Sequence, residues 1–327
     1  MLYGMAFEEI EEVKTYSEIV VSLREELRRY MEQEAEKFSR HMETVSTGSI
    51  RPLRVDPARR RGFRRIAAVD GGSGILSFAD REVGFIAAIA VIDDGERHIR
   101  KIAKPRILAQ GEDEEEGEFS DRLDVERETL LIELARKLRD VDLLIVDGPL
   151  IPRPKYTGEY LLQLRSLIEE SEKDGRLLVG FVKRPQSRFL VSEEFGGMEF
   201  YDRTILSALL EKGEAYPWPP RIRELRSVPP AKYTYFRLTD PPSPSVFRLD
   251  FPAYLGEEEA HDILSYILRT LDPVAGVPAL LMKADEEVKI SKRLVAELYR
   301  ECFESLAGRL DPKLWSPLAP RWGERIW

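Results

Sequence analysis

Two aspartates stand where apolar segments end, and their type and spacing are the first signs of chemistry in this sequence. Asp70 closes RIAAVD (65–70) and Asp147 closes LLIVD (143–147), and glycine follows each, where a ligand or metal could approach the backbone closely. We expect two buried strands whose carboxyl ends meet at an open sheet edge, where ligands bind. Close carboxylates repel each other and are costly to bury, and a divalent cation resolves both problems. Each aspartate alone is typical of a turn, but the pair indicates a metal site.

A third carboxylate ligand is expected from an amphipathic helix predicted over 121–139. At 100° per residue, the inward face of this helix consists of Arg127, Leu131, Leu134, Ala135 and Leu138. Glu128 lies at the margin of that face and is the preferred ligand, with Glu126 in reserve because a small rotation of the helix would exchange them. A site of Asp70, Glu128 and Asp147 offers only oxygen atoms, which suits Mn²⁺ or Mg²⁺ and not zinc. Two such ions would activate a water and stabilise the leaving oxygen in phosphodiester hydrolysis.

Basic and polar residues at the end of the strand predicted at 176–184 and just after it form a second candidate group. The group consists of Lys183, Arg184, Gln186, Ser187 and Arg188. We expect contacts to phosphate oxygens near a scissile bond, with Lys183 as the catalytic member, and solubilising charge is the alternative. A separate run at 51–65 holds seven arginines in fifteen positions. It is either a solvated linker or a phosphate-binding segment.

The elements that would position these residues are three strands followed by alternating helices and strands. In chain order they are predicted at 65–70, 83–92, 97–109, 121–139, 143–148, 158–173 and 176–184. Asp94-Gly95 predicts the turn between the second and third strands, and the acidic run 112–118 predicts a solvated loop. This β-β-β-α-β-α-β order predicts an α/β fold with a ribonuclease H-like core, in which helices flank a mixed β-sheet.

Further elements are predicted on both sides of this core. Helices are predicted at 6–43, 202–212, 257–271 and 285–307, and strands at 232–238 and 245–251. The first helix carries a narrow apolar stripe, which would pack on its own domain or on a partner chain. We therefore expect an N-terminal helical arm over 1–48 and one domain over 49–327.

Composition excludes several classes of protein. The chain has 327 residues, with 59 acidic against 50 basic ones, a net charge of −9 and a single cysteine, Cys302. One cysteine excludes an intramolecular disulfide framework and a cysteine-based zinc cluster. The sequence lacks an 18-residue apolar run and a basic leader, so we expect a cytoplasmic protein that does not enter a membrane. The absence of asparagine and the high charged content of 33% indicate a heat-loving source.

Five short motifs in a fixed order resemble the NurA nuclease family. They are IAAVDGGSG (66–74), the acidic helix 121–139, LLIVDGPL (143–150), FVKRPQS (181–187) and GVPALLMKAD (276–285). The resemblance implies a NurA-like, ribonuclease H-like nuclease domain. It also implies Mn²⁺-dependent deoxyribonuclease activity, as a 5′-to-3′ exonuclease and single-strand endonuclease. The implied partners are DNA, a second copy of the chain, a HerA-type hexameric ATPase and the Mre11–Rad50 pair, acting in DNA-end resection and repair.

The resemblance also implies roles for particular residues. Asp70 and Asp147 match the first and last strand aspartates of the family's metal site, and Glu128 matches its helix glutamate. Two positions depart from the family pattern, because Val277 replaces a usual tyrosine and Asp285 replaces a usual histidine. Asp285 is then a fourth carboxylate ligand or, at the start of the helix predicted over 285–307, a capping residue.

Two other functions remain open at this point. The glycine-rich VDGGSG turn is superficially similar to the phosphate-binding hairpin of actin-type and sugar-kinase-type ATP-binding proteins. A second phosphate loop is not evident in the sequence. Alternatively, the chain is a non-catalytic assembly subunit, docking a partner through its first helix and through Trp315, Trp322 and Trp327.

Overall fold

A computed structural model of the chain describes residues 16–45, 50–59, 61–195, 199–239, 246–272 and 276–307. The helices are α1 (Tyr16–Thr44), α2 (Glu116–Arg136), α3 (Glu159–Lys173), α4 (Phe189–Glu193), α5 (Asp202–Leu209), α6 (Glu257–Arg269), α7 (Ala279–Val288) and α8 (Lys292–Ala307). The strands are β1 (Leu53–Arg54), β2 (Ile66–Ser77), β3 (Glu82–Asp93), β4 (His98–Ile102), β5 (Arg106–Ala109), β6 (Leu143–Asp147), β7 (Leu177–Val182), β8 (Glu214–Arg223), β9 (Ala231–Arg237) and β10 (Val246–Pro252). The first ten predicted residues of the first helix and the three tail tryptophans lie outside the described residues.

The described residues form two compact units. One contains 16–45, 189–195 and 199, and the other contains every remaining described residue. In the first unit, the apolar stripe of α1 is exposed along much of its length, with Leu27 58% and Met31 61% accessible. The division into an arm over 1–48 and a domain over 49–327 stays a prediction. No helix in the described part of the chain is long and apolar enough to span a membrane.

One mixed sheet forms the centre of the second unit. Its strand order is β1-β8-β9-β10-β7-β6-β2-β3-β4, and β5 also pairs with β3. Strands β2, β3 and β4 form an antiparallel meander, whereas β6 pairs in parallel with both β2 and β7. Apart from the third predicted strand, which is divided into β4 and β5, the order of elements from β2 to β7 is the predicted one. The fold class with its ribonuclease H-like core is confirmed. Strand β8 was not predicted, because its sequence contains three prolines.

Two hydrophobic layers cover the two faces of this sheet. Alternate residues of the central strands belong to different layers, as Ala67 and Val69 pack with α2 and α3 while Ala68 packs with α6 and α7. This alternation follows from the two-residue period of a strand. It decides on which face each polar residue at a strand end appears.

The strand that carries Asp70 is longer than predicted. Pairing with β6 stops at Val69, but β2 continues through the glycine-rich segment to Ser77, paired with β3 along its whole length. Glycine is required there because α7 and α8 lie against the strand. A Cβ atom at Gly72 would lie 2.1 Å from the carbonyl oxygen of Val288, and one at Gly74 would lie 2.6 Å from a methyl group of Ile290.

Replacing Gly72 with alanine is therefore expected to lower the free energy of unfolding by about 3 kcal/mol or more, because the strand and α7 must separate. Gly117→Ala is the matched control, since a Cβ atom there would meet nothing within 4 Å. In the first turn of α2 that alanine should be neutral or stabilising by up to about 1 kcal/mol. Urea unfolding of both variants measures the difference. Equal stability of the two would contradict the packing described here.

Three element boundaries differ from the predictions for local reasons. The strand predicted over 97–109 is two strands, because Pro105 has no N–H to donate to the ladder. The solvated loop predicted over 112–118 ends early, since α2 begins at Glu116, where acidic residues favour a helix N-terminus. The last predicted helix is interrupted before Ser291, whose hydroxyl accepts the Leu294 N–H at 3.1 Å and caps α8.

Candidate metal centre

Asp70, Asp147 and Lys183 belong to the same face of the sheet. The residues two positions before them are Ala68, Ile145 and Phe181. All three belong to the hydrophobic layer that includes residues of α7. The two-residue period of a strand places Asp70, Asp147 and Lys183 on that face as well. Helix α7 crosses this face and contributes Asp285.

Three carboxylates converge at this point. One oxygen atom from each of Asp70, Asp147 and Asp285 lies within 4.8 Å of the other two. The side chain of Asp70 is 8% exposed, that of Asp147 15% and that of Asp285 54%, so the cluster opens to solvent on the α7 side. Asp285 lies inside α7, so the alternative of a capping residue at the start of a helix is wrong.

The ammonium group of Lys183 lies among these carboxylates. Its Nζ atom is 2.7 Å from Asp147 Oδ2, 2.8 Å from Asp285 Oδ1 and 3.8 Å from Asp70 Oδ2. Lys183 directly follows β7, so three strands and one helix each contribute a charged group. Burial acts to lower the pKa of Lys183, but the charge and hydrogen bond of Asp147, the hydrogen bond of Asp285 and the charge of Asp70 outweigh it and hold that pKa above its usual value.

The pKa values of Asp70 and Asp285 are shifted in opposite directions. Burial, followed by the negative charge of Asp147, raises the pKa of Asp70 to about 9, although Lys183 acts in the opposite direction. Burial also acts to raise the pKa of Asp285, but the hydrogen bond and charge of Lys183 outweigh it and hold that pKa below its usual value. Crowded carboxylates of this kind repel each other until a cation or a proton neutralises them.

Glu128 reaches the same sheet edge from α2, on the opposite face. The glycines after the two aspartates favour this close approach, because a side chain at Gly71 or Gly148 would push its neighbour on α2 away by a few tenths of an ångström. A Cβ atom at Gly71 would lie 3.1 Å from Arg127 Cγ, and one at Gly148 would lie 3.0 Å from Glu128 Oε2. Gly148 also has a φ angle of 151°, which glycine adopts readily. The glycines thus admit side chains of α2, which the sequence alone did not indicate.

The environments of the two candidate glutamates differ. Glu128 is buried, and burial raises its pKa although the charge of Arg127 opposes this and that of Asp147 adds to it. Glu126 is 40% exposed and points toward Arg106, with 3.8 Å between the charged groups. Of the two, Glu128 is therefore the one that lies against Gly148, next to Asp147, although it is not part of the group of three aspartates whose oxygens lie within 4.8 Å of one another. The role of each residue as a ligand stays a prediction.

A buried ion pair next to the centre was missed by the sequence analysis. Asp250 Oδ2 accepts the backbone N–H groups of Leu150 and Ile151 at 3.0 and 3.1 Å, and Arg248 binds both oxygens of Asp250 at 2.7 and 2.9 Å. The pair fixes the chain that follows Asp147. Its signal in the sequence is an arginine and an aspartate in an otherwise apolar strand, β10.

The other basic candidates lie in varied surroundings. The hydroxyl group of Ser187 is hydrogen-bonded to that of Tyr235 at 2.7 Å, and the guanidinium of Arg188 lies 5.2 Å from the ring centre of Tyr201. Arg184 and Gln186 are exposed. Val277, at the position of the family's tyrosine, is 8% exposed and packs in the core.

Arginines of the 51–65 run pair with carboxylates of the same unit. Arg59 and Arg61 lie 2.6 and 3.4 Å from Asp262 on α6, and Arg54 lies 3.1 Å from Glu211. These contacts fasten the segment along the domain. They favour a structural role for these arginines over the predicted solvated linker or phosphate-binding segment.

A divalent cation fits the aspartate cluster on two grounds. The donor atoms of the three aspartates are all carboxylate oxygens, the ligands that Mg²⁺ and Mn²⁺ prefer. The position of Lys183 shows in addition that a positive charge is accommodated between them.

Comparisons with known proteins agree with this architecture. The sequence matches the NurA domain family over residues 64–290. No curated protein sequence matches it significantly. The NurA nuclease of Sulfolobus solfataricus has a TM-score of 0.67 and 16% identity, over 89% of this chain and 98% of that one.

Two further crystal structures share the fold. NurA with manganese has a TM-score of 0.59 and 12% identity, over 86% of this chain and 99% of that one. NurA bound to dAMP and manganese has a TM-score of 0.51 and 13% identity, over 93% of this chain and 99% of that one. The resemblance noted in the five motifs is thereby confirmed. Because the family match covers more than half of the sequence, the chain belongs to the NurA family of nucleases.

Proposed function

We propose that this protein is a Mn²⁺-dependent deoxyribonuclease that hydrolyses phosphodiester bonds of DNA, with Mg²⁺ as the alternative ion. The observation that carries the proposal is the convergence of Asp70, Asp147 and Asp285 at one sheet edge of a NurA-family fold. Crystallised NurA relatives with manganese, and with dAMP and manganese, support the choice of ion and of substrate class.

Each side chain of the centre has a separate task in this proposal. Asp70, Asp147 and Asp285 would hold one cation, and Glu128 together with Asp147 would hold a second. Asp147 would contribute to both, because its negative charge acts on both Asp70 and Glu128. Bound divalent cations supply a polarised water and stabilise charge on the leaving oxygen.

Lys183 is proposed to be the catalytic side chain that binds the phosphate group of the substrate. Its ammonium group lies beside Asp147 and Asp285, where a phosphate oxygen could replace a carboxylate as its partner. A charge-assisted hydrogen bond to a non-bridging oxygen would orient the scissile phosphate and offset its negative charge. Arg184 is exposed one residue further on and is proposed to contact the neighbouring phosphate.

Finer aspects of the function rest on the family resemblance. They are 5′-to-3′ exonuclease and single-strand endonuclease activity, and DNA-end resection and repair with a HerA-type hexameric ATPase. We also propose a homodimer in the cytoplasm of a thermophile, with Mre11–Rad50 as further partners. The exposed stripe of α1 offers an apolar surface for such assembly.

The cation requirement can be measured directly. Purified protein is expected to degrade labelled single-stranded DNA in Mn²⁺, more slowly in Mg²⁺, and not in EDTA. Zinc should not substitute, because the proposed ligands are all oxygen atoms. DNA labelled at either the 5′ or the 3′ end reports polarity, and a circular single strand reports endonuclease activity. Cleavage that is equally fast in EDTA would rule out the proposed metal mechanism.

A further inference from the structure

Arg127 and Glu128 are consecutive residues of α2, and they lie against the two glycines that follow the aspartates of the sheet. Arg127 lies against Gly71, which follows Asp70, and Glu128 lies against Gly148, which follows Asp147. Both contacts are close, because a side chain at either glycine would force its neighbour on α2 to shift by a few tenths of an ångström. These two charged side chains therefore lie close to the two strand aspartates, on the opposite face of the sheet.

The contact between the two side chains is short and leaves one carboxylate oxygen available. Arg127 Nη2 donates to Glu128 Oε1 at 2.6 Å, while Oε2 lies on the side of Gly148. Glu128 retains 9% exposure of its side chain and Arg127 retains 27%. A buried carboxylate held by one oxygen in this way has its other oxygen fixed in direction.

Arg127 also has an unpaired hydrogen-bond donor next to the centre. Its Nε–H is buried and has no hydrogen-bond partner within the described part of the chain. Leaving a buried donor unpaired is energetically unfavourable. The arginine is thus placed where its Nη2 reaches Glu128, at the expense of its own hydrogen bonding, and functional sites commonly tolerate such a cost.

We propose that Arg127 is a positioning residue of the metal centre, which holds Glu128 by Oε1 so that Oε2 is presented beside Asp147. The proposal rests on the proposed function, because it assumes that Glu128 contributes to cation binding. It assigns Arg127 no contact with substrate. Partners of this kind, one step removed from the cation, typically change metal affinity or activity by 10–100-fold when they are replaced.

The first test measures Mn²⁺ affinity by calorimetry, without DNA. Arg127→Met is expected to weaken Mn²⁺ binding about tenfold or more, and Arg127→Lys less, because one donor and the positive charge remain. Arg136→Met is the matched control. Arg136 lies on the same helix with 29% side-chain exposure and is 2.5 Å from Glu170, away from the centre. It should leave Mn²⁺ affinity within about twofold. Unchanged affinity in Arg127→Met would overturn the proposal.

The second test asks whether Arg127 acts through Glu128. In a Glu128→Gln background, adding Arg127→Met should weaken Mn²⁺ binding by less than about twofold, because the group to be positioned is already lost. Losses that multiply would overturn the proposal. A raised KM for DNA with unchanged Mn²⁺ affinity would also overturn it, since that pattern indicates direct contact with substrate.

Two further measurements are needed, one of the folding of each variant and one of Mn²⁺ binding by the wild-type protein. Circular dichroism and thermal melting without metal identify a variant that fails to fold, and Arg127→Lys then carries the comparison with Arg136→Met. Wild-type protein that binds no Mn²⁺ would refute the proposed function itself. That result differs from wild-type binding that Arg127→Met leaves unchanged, which refutes only the positioning role.

Discussion

Replacing Asp70 or Asp147 with asparagine is expected to reduce Mn²⁺-dependent DNA cleavage by more than about 100-fold. That loss should exceed the 10–100-fold effect of removing a residue that merely supports a ligand. Asparagine preserves the shape of the side chain but removes the negative charge that holds the cation. A gel assay with labelled single-stranded DNA measures the loss. Asp140→Asn is the control, because that side chain is 83% exposed and precedes β6, at the end of the strand opposite Asp147.

The same variants separate a damaged site from a damaged fold. Asp70 is buried with its pKa raised to about 9 by burial and then by the charge of Asp147, so a neutral amide should be tolerated there. Without metal, the melting temperature of Asp70→Asn should equal or exceed that of the wild type. Adding Mn²⁺ should raise the melting temperature of the wild type but not of the variant, since only the former binds the ion. Normal cleavage by both variants would refute the metal-centre assignment.

Lys183→Met is expected to have two opposite effects. Cleavage should fall by about 100-fold or more, because the phosphate loses its cationic partner. Mn²⁺ binding without DNA should become about tenfold tighter, because the ammonium group no longer competes for Asp147 and Asp285, which lie 2.7 and 2.8 Å from Nζ. Unit charges about 4 Å apart interact by up to about 4 kcal/mol near a protein surface, so a tenfold change is a modest expectation.

Lys155→Met is the matched control for this second prediction. The ammonium group of Lys155 also bridges two carboxylates, Asp121 at 2.7 Å and Asp124 at 3.0 Å, and its side chain is 29% exposed against 26% for Lys183. Its loss should leave Mn²⁺ affinity within about twofold. Weaker Mn²⁺ binding in Lys183→Met would show that the lysine supports the ion instead of competing with it.

Much of the core could be predicted from the sequence, because its strands are short apolar runs bounded by clear turn signals. The run VGFIAAIAVI and the Asp94-Gly95 turn predict β3 and its hairpin, and the structure contains both. The structure of the glycine-rich segment after Asp70 was harder to predict. Glycines favour turns locally, but here they continue a strand that pairs with β3. Glycine is needed at position 72 because only glycine leaves room for the backbone of α7 at Val288.

Asp285 shows why the sequence alone could not predict the whole site. Its sequence neighbourhood predicts the start of a helix, and only the packing of α7 on the sheet brings it to Lys183. Arg127 is similar, since helical periodicity places it on the inward face but does not say which strand it meets. Local patterns specify the direction of a side chain relative to its own element. They do not specify which element lies opposite.

The sequence by itself determined which strands are buried and that Asp70 and Asp147 end their apolar stretches, because two-residue periodicity and hydrophobicity are local properties. The tertiary structure alone decided that these aspartates share a face with Lys183 and Asp285, while Arg127 and Glu128 approach from the other face. The physical reason is long-range packing. Helices α2 and α7 cover opposite faces of one sheet, and the glycines beside each aspartate set how closely each helix can approach.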